Sequence, residues 1–267
     1  MSKSLYPDYG NALEDAYIIR NAVYFSTEAR VYSAELIIKE NLDVGQKTLN
    51  FLVVRAFEEF MTSSEDLLGW LFALNEWKPG TAENSLFVLL DRIQVGRKRY
   101  SEKNAVVLLE ELDEERFRRV FHIPEDEELI SMGISGGFVD KLRSSLAFKI
   151  DGWLRIARIR AGEERGRVGM FNKLKHHMIA FPTKERGKDE VWVPYNVKTG
   201  ESEIRLGRGW LRADAKNIRR FVGDAIGAQA VLHDTLACIL IARYGEQYSR
   251  PNWIDKAYEN YLRDDGR

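Results

Sequence analysis

Cysteine is almost missing from this 267-residue sequence. Cys238 stands alone in the apolar run LACILIA, so no intrachain disulfide can form and a buried, inert thiol in a reducing compartment is expected. The start, MSKSLYPDYGNALED, lacks the apolar core of a secretion signal. The apolar runs also fall short of the roughly 20 residues that span a bilayer. A cytoplasmic protein without a membrane partner is the expectation.

Metal-binding spacings are missing too. There is no H-E-x-x-H, no C-x-x-C and no E-x-x-H, which removes the ligand sets of zincins, zinc ribbons and carboxylate-bridged di-iron bundles. Without a Walker loop or a G-x-G-x-x-G there is no dedicated nucleotide cradle either. No metal site and no cofactor is expected. Gly133-Ile134-Ser135-Gly136-Gly137 spells a G-x-S-x-G nucleophile elbow, but that chemistry needs parallel strands alternating with helices, and the sequence offers none. A glycine-rich connection between helices is the preferred reading.

The net charge of −1 hides a segregation. Residues 155–188 hold ten Lys/Arg against three Asp/Glu, whereas residues 110–128 hold nine Asp/Glu against three Arg. One face is expected to be basic and another acidic, and a basic patch suits a polyanion even on a neutral protein.

What the sequence has in abundance is helical periodicity. Apolar residues recur near every 3.6 positions over 11–40 and 47–77, with a kink or recap considered at Thr62-Ser63-Ser64-Glu65. Pro79-Gly80 is a stop. Shorter helices follow at 85–95, 101–112 and 113–121, and Pro124 is read as the first turn of another. Phe138 to Arg160 is the cleanest helix. Period two takes over at Val191, Val193, Tyr195 and Val197, and again at Ile204 and Leu206, which predicts a β-hairpin. Leu211 to Tyr244 returns to helix, with Gly223 and Gly227 spaced for a close helix approach. A last short helix is expected from Pro251. The fold class is therefore mainly α, a helical bundle with one inserted β-hairpin near residues 190–206. It forms a single domain over 1–267, with 83–135 as an insertion.

The stretch RGRVGMFNKLKHHMIAF, residues 165–181, concentrates the candidate chemistry, since it holds two of the four histidines. On a helical wheel Phe171, Leu174, Met178 and Phe181 share a packing side. Asn172 and His176, four residues apart, share the other, where Gly169 leaves the approach open. His177 falls at the edge of the apolar stripe. His122 and His233 read as structural or surface histidines.

The segment Phe171-Asn172-Lys173-Leu174-Lys175-His176, with helices before it and a hairpin and long helix after, resembles the Asn-Lys-Leu-Lys-His segment of bacterial proteins related to the HEPN superfamily. The resemblance spans helices 11–77 and 138–245. It implies a helical bundle that often dimerises, and many members are metal-independent ribonucleases of toxin or antiviral systems. Their motif is an arginine, usually followed by Asn, Asp or His, then a few residues and a histidine. Asn172 and His176 match the last two, and Phe171 takes the arginine's place.

A histidine can move a proton in RNA cleavage, but the charge developing on phosphorus needs a cation aimed at it. Arg167 precedes His176 by nine positions, and Arg165 lies roughly 16 Å away along an unbroken helix. Three functions follow. The leading one is a non-catalytic or degenerate HEPN-like module of a bacterial stress or defence system, binding RNA or a partner protein through Arg165, Lys173, Lys175 and His176, with a homodimer among its expected states. The second is a ribonuclease in which His176 and Asn172 act with Arg165 or Arg167. The third is a scaffold in which the basic stretch packs against the acidic one.

Overall fold

The computed structural model describes residues 12–39, 42–161, 167–175, 180–184, 188–198 and 204–245. The protein is mainly α with one small antiparallel sheet, as the periodicities predict. Helix α1 (Ala12–Asn21), a π turn (Ala22–Ser26) and α2 (Thr27–Lys39) come first. They are followed by α3 (Gln46–Glu76), α4 (Leu86–Arg92), α5 (Glu102–Glu110), α6 (Glu114–Val120), α7 (Asp126–Ser131), α8 (Gly136–Ala161) and α9 (Arg167–Lys175). Strands β1 (Phe181–Thr183), β2 (Glu190–Lys198) and β3 (Ile204–Arg212) lead to α10 (Ala215–Tyr244). The helix expected from Pro251 lies outside the described residues. The chain forms two compact units, one from residues 1–28, 67–154 and 230–267, the other from 29–66 and 155–229. Segment 83–135 falls wholly within the first.

In the first unit the short helices begin where polar caps allow. Ser85, Ser101 and Asp113 each accept a backbone N–H three residues on, from Val88, Asn104 and Arg116, which satisfies donors that a helix leaves open. Pro124 comes before the cap residue Glu125 rather than in the first turn of α7. Ser135 accepts from the Phe138 N–H at 3.4 Å, so the G-x-S-x-G match is an ordinary entry to α8. Trp77, Trp153, Phe117 and Phe121 are fully buried, and the Trp153 indole donates to Thr235 Oγ1 at 2.8 Å. The close approach of α8 and α10 falls at Gly152, where a Cβ would lie 2.9 Å from Val231 Cγ2. At Gly223 and Gly227, where a close approach was expected, a Cβ would meet no atom within 4 Å among the described residues. The 11–40 period is one helical run interrupted by the π turn, where the Thr27 hydroxyl donates to the Val23 carbonyl at 2.7 Å.

In the second unit α3 runs unbroken through Thr62–Glu65 because Ser63 and Ser64 are buried and the Ser64 hydroxyl bonds back to the Met61 carbonyl at 2.9 Å. The sheet order is β1-β2-β3, antiparallel throughout. The hairpin starts at Glu190 as expected, but β3 runs to Arg212, beyond the expected limit near 206, and β1 adds a third strand. Leu211, expected in the last long helix, belongs to β3 and is buried with Val191 and Val193. The helix starts after Asp214, whose carboxylate accepts the Asn217 N–H at 2.8 Å. Sheet and α9 meet closely at two glycines. A Cβ on Gly209 would fall on the Met170 side chain, and one on Gly169 would lie 2.8 Å from the Tyr195 ring.

Helix α10 contains an 18-residue window of mean hydropathy 1.6, half of it buried. By length and composition it could cross a membrane, contrary to the count of apolar runs. Its buried residues, among them Ile218, Leu232, Leu236 and Leu240, account for that hydropathy as core.

Candidate functional site

Nine residues of the basic stretch form α9. Met170, Phe171 and Leu174 are buried in the core with Phe57, Val193 and Phe221, while Asn172 and Lys175 are exposed. Arg167 opens the helix and Lys173 lies within it. Arg165, His176 and His177 lie outside the described residues, and with them the expected Asn172–His176 pair. Two features of the helical wheel need correction. Phe181 is not on the helix but begins β1 and is 38% exposed. Gly169 does not leave an open approach, because Tyr195 of β2 covers it; its missing side chain serves packing.

Phe171, at the motif's arginine position, is 3% exposed. The nearest described cations are Arg160, with its guanidinium carbon 5.9 Å from the ring centroid, and Lys175, with Nζ at 5.6 Å. Arg160 is 2% exposed and donates to the Met61 carbonyl and to Ser64 Oγ at 3.0 Å. It ties α8 to α3. Lys175 is exposed and pairs with Glu65 at 3.3 Å. Sequence reasoning missed Arg160, although a signal existed: it follows Trp153, Ile156 and Ala157 by seven, four and three residues, on the buried side of α8.

The acidic residues of 110–128 find their partners locally: Glu111 with Arg116 at 3.0 Å, Glu115 with Arg119, and Asp126 with both Arg118 and Arg143. The exposed pairs, Glu111 with Arg116 and Glu115 with Arg119, contribute about 0–1 kcal/mol each, whereas Arg118 is buried.

His122 sits at φ 53°. Its Nε2 lies 2.8 Å from the Leu74 carbonyl, its ring stands edge-on to Trp77 at 4.8 Å, and Arg243 donates to its carbonyl at 3.2 Å. Burial lowers its pKa below the ordinary 6.5, against the Leu74 hydrogen bond and with the help of Arg243. The folded state therefore binds this proton less readily than the unfolded chain, and the stability it confers is present above about pH 6.5 and lost as pH falls below it. His122→Asn, which tolerates positive φ without titrating, is expected to lose less melting temperature than wild type between pH 7.5 and 5.5. Identical losses would remove His122 from the acid response.

His233 faces Tyr24 edge-on at 6.5 Å. Cys238 is only partly buried, and burial still pushes its thiol up, the reverse of what a reactive thiolate needs. No group of three His, Cys, Asp or Glu able to hold a metal occurs among the described residues. A cavity of about 500 Å³ lies beside the π turn, lined by Glu14, Tyr17, Asn21, Trp70, Phe87 and Leu90 among others. Helical periodicity alone does not reveal it, because a cavity between helices depends on which faces meet in the fold. Glu14 and Tyr17 are already engaged with other groups.

No protein-family model matches the chain, and neither a curated protein nor a solved structure shows significant similarity to it.

Proposed function

We propose that the protein is a HEPN-like helical module that binds RNA without cleaving it. The burial of Phe171 carries this reading. The motif's arginine position is filled by a core side chain, and the guanidinium beside it, Arg160, is itself buried and holds a carbonyl and a hydroxyl. A cation enclosed in this way cannot meet the charge that develops on phosphorus during transesterification. Asn172 and Lys175, both exposed on α9, suit contact with a backbone phosphate rather than chemistry on it.

Fluorescence anisotropy with an unstructured RNA oligonucleotide tests this. Affinity is expected to fall by about one to two orders of magnitude between about 50 and 200 mM salt, as phosphate contacts require. Lys173→Ala with Lys175→Ala should weaken binding, and the RNA should remain intact without metal. Absence of binding at low salt would overturn the proposal. Metal-independent cleavage abolished by His176→Ala would replace it with the ribonuclease reading.

A further inference from the structure

The solvent-facing side of a small antiparallel sheet usually carries polar residues. Here it carries an aromatic row. Successive residues of a strand point to opposite faces, and Val191, Val193 and Leu211 are buried in the core. Trp192 and Trp210 therefore belong to the other face, directly opposite each other in register, and Phe181 of β1 sits opposite Trp192. The Phe181 and Trp192 rings are stacked at 4.5 Å with an interplanar angle of 18°. Arg208, opposite Pro194 in the adjoining row, holds its guanidinium carbon 5.2 Å from the Trp192 ring centre. All three rings are partly exposed and Arg208 is exposed.

Where β3 passes into α10, a cleft of about 160 Å³ is lined by Trp210, Arg212, Asn217 and Arg220 on one side and by the core side chains Phe57, Met170, Leu211 and Phe221 on the other. Lys216 and Arg219, both exposed, stand in the same first turns of α10. Against these cations stand Asp214, paired with Arg212 at 2.7 Å, and Glu190. Glu190 is opposite Arg212 in the row next to the aromatics and is 8% exposed. Its Oε2 is buried without a hydrogen-bond donor among the described residues.

Building on the RNA-binding reading, we infer that this face is the platform on which a single-stranded nucleic acid lies, its bases stacked on Trp192, Trp210 and Phe181 and a phosphate held in the Arg212–Asn217–Arg220 cleft. Flat rings interleaved with cations match a ligand that is both polyanionic and rich in exposed π faces. A duplex hides those faces, and an acidic peptide does not possess them. The cleft has room for one phosphodiester group. The sheet then supplies the stacking energy and α9 supplies additional charge.

The test uses the full chain and fluorescein-labelled oligouridine and oligodeoxythymidine, with an RNA duplex of equal length as comparison. Trp192→Ala and Trp210→Ala are each expected to weaken oligouridine binding about tenfold or more, whereas Trp192→Phe, which keeps a ring, retains most of the affinity. Arg208→Ala with Arg220→Ala should weaken it several-fold and flatten its salt dependence. The duplex should bind at least about tenfold more weakly. Tighter binding of oligouridine than of oligodeoxythymidine assigns the strand as RNA, the reverse as DNA, and either keeps the platform. If a tryptophan variant does not fold, the exposed changes Arg208→Glu and Arg220→Glu decide by the same loss. Wild-type binding that these changes leave intact while Lys173→Ala and Lys175→Ala reduce it overturns the sheet-face site and leaves the RNA-binding reading standing. No wild-type binding at low salt removes both.

Discussion

Phe171→Arg, which would complete the ribonuclease motif on paper, is expected to cost the protein most of its stability and to give no cleavage. Phe171 is 3% exposed among Met170, Leu174, Val193 and Phe221. Losing a buried phenylalanine costs about 3–5 kcal/mol, and burying an unpaired charge adds several more. The new guanidinium would also enter beside the buried guanidinium of Arg160, whose carbon is 5.9 Å from the present ring. Those losses are comparable with a whole domain's stability of about 5–15 kcal/mol. Circular dichroism melts should show an unfolded or strongly destabilised variant, with Phe171→Leu costing far less because it conserves apolar volume. A folded Phe171→Arg protein that cleaves RNA in a His176-dependent manner would show that this position belongs to a catalytic centre.

Asp15→Ala is expected to cost about 2–6 kcal/mol. Asp15 is completely buried and accepts two hydrogen bonds, from the Trp77 indole at 3.0 Å and from the Leu86 backbone N–H at 3.2 Å. Truncation leaves both donors buried and unmet, at about 1–3 kcal/mol each. Burial pushes the Asp15 carboxyl above its ordinary value, against those two bonds and Arg243. Folding therefore favours protonation here, and this group adds stability at low pH that fades as pH rises through its folded value. Asp15→Asn, which keeps one carbonyl acceptor, should cost about half as much as alanine in thermal melts. An Asp15→Asn variant as stable as wild type, beside a costly Asp15→Ala, would mean that volume, and not hydrogen bonding, sets the effect.

Much of the helical framework was legible because its causes are local. Ser85 and Ser101 lead into apolar residues and Asp113 into an acidic first turn, and each caps a helix. The three- and four-residue steps from Val139 to Ala157 mark the buried side of α8, and with one more step they would have marked Arg160. Other features were hidden because their causes are distant. Leu211 fits a helix or a strand by its neighbours alone, and pairing with Val191 decides. Gly169 looked like an opening because the sequence does not show that Tyr195 fills it. The aromatic row on the sheet is half visible: Val191, Val193 and Tyr195 alternate as a strand should, and that alternation puts Trp192 on the opposite face. The pairing of Trp192 with Trp210 depends on register, and only the folded chain supplies that.

The interleaving of the two units bears on the order in which the chain can acquire its structure. The first unit is assembled from pieces separated by the whole of 29–66 and 155–229. Asp15 must wait for Trp77 and Leu86, and Trp153 for Thr235. On a ribosome, the earliest helix therefore emerges long before the segment around residue 235 that completes its unit. Closing such wide loops is slow and leaves apolar surface exposed meanwhile. Among the described elements, α10 emerges after the others, and as a helix destined for the core it is the one most in need of protection until it docks.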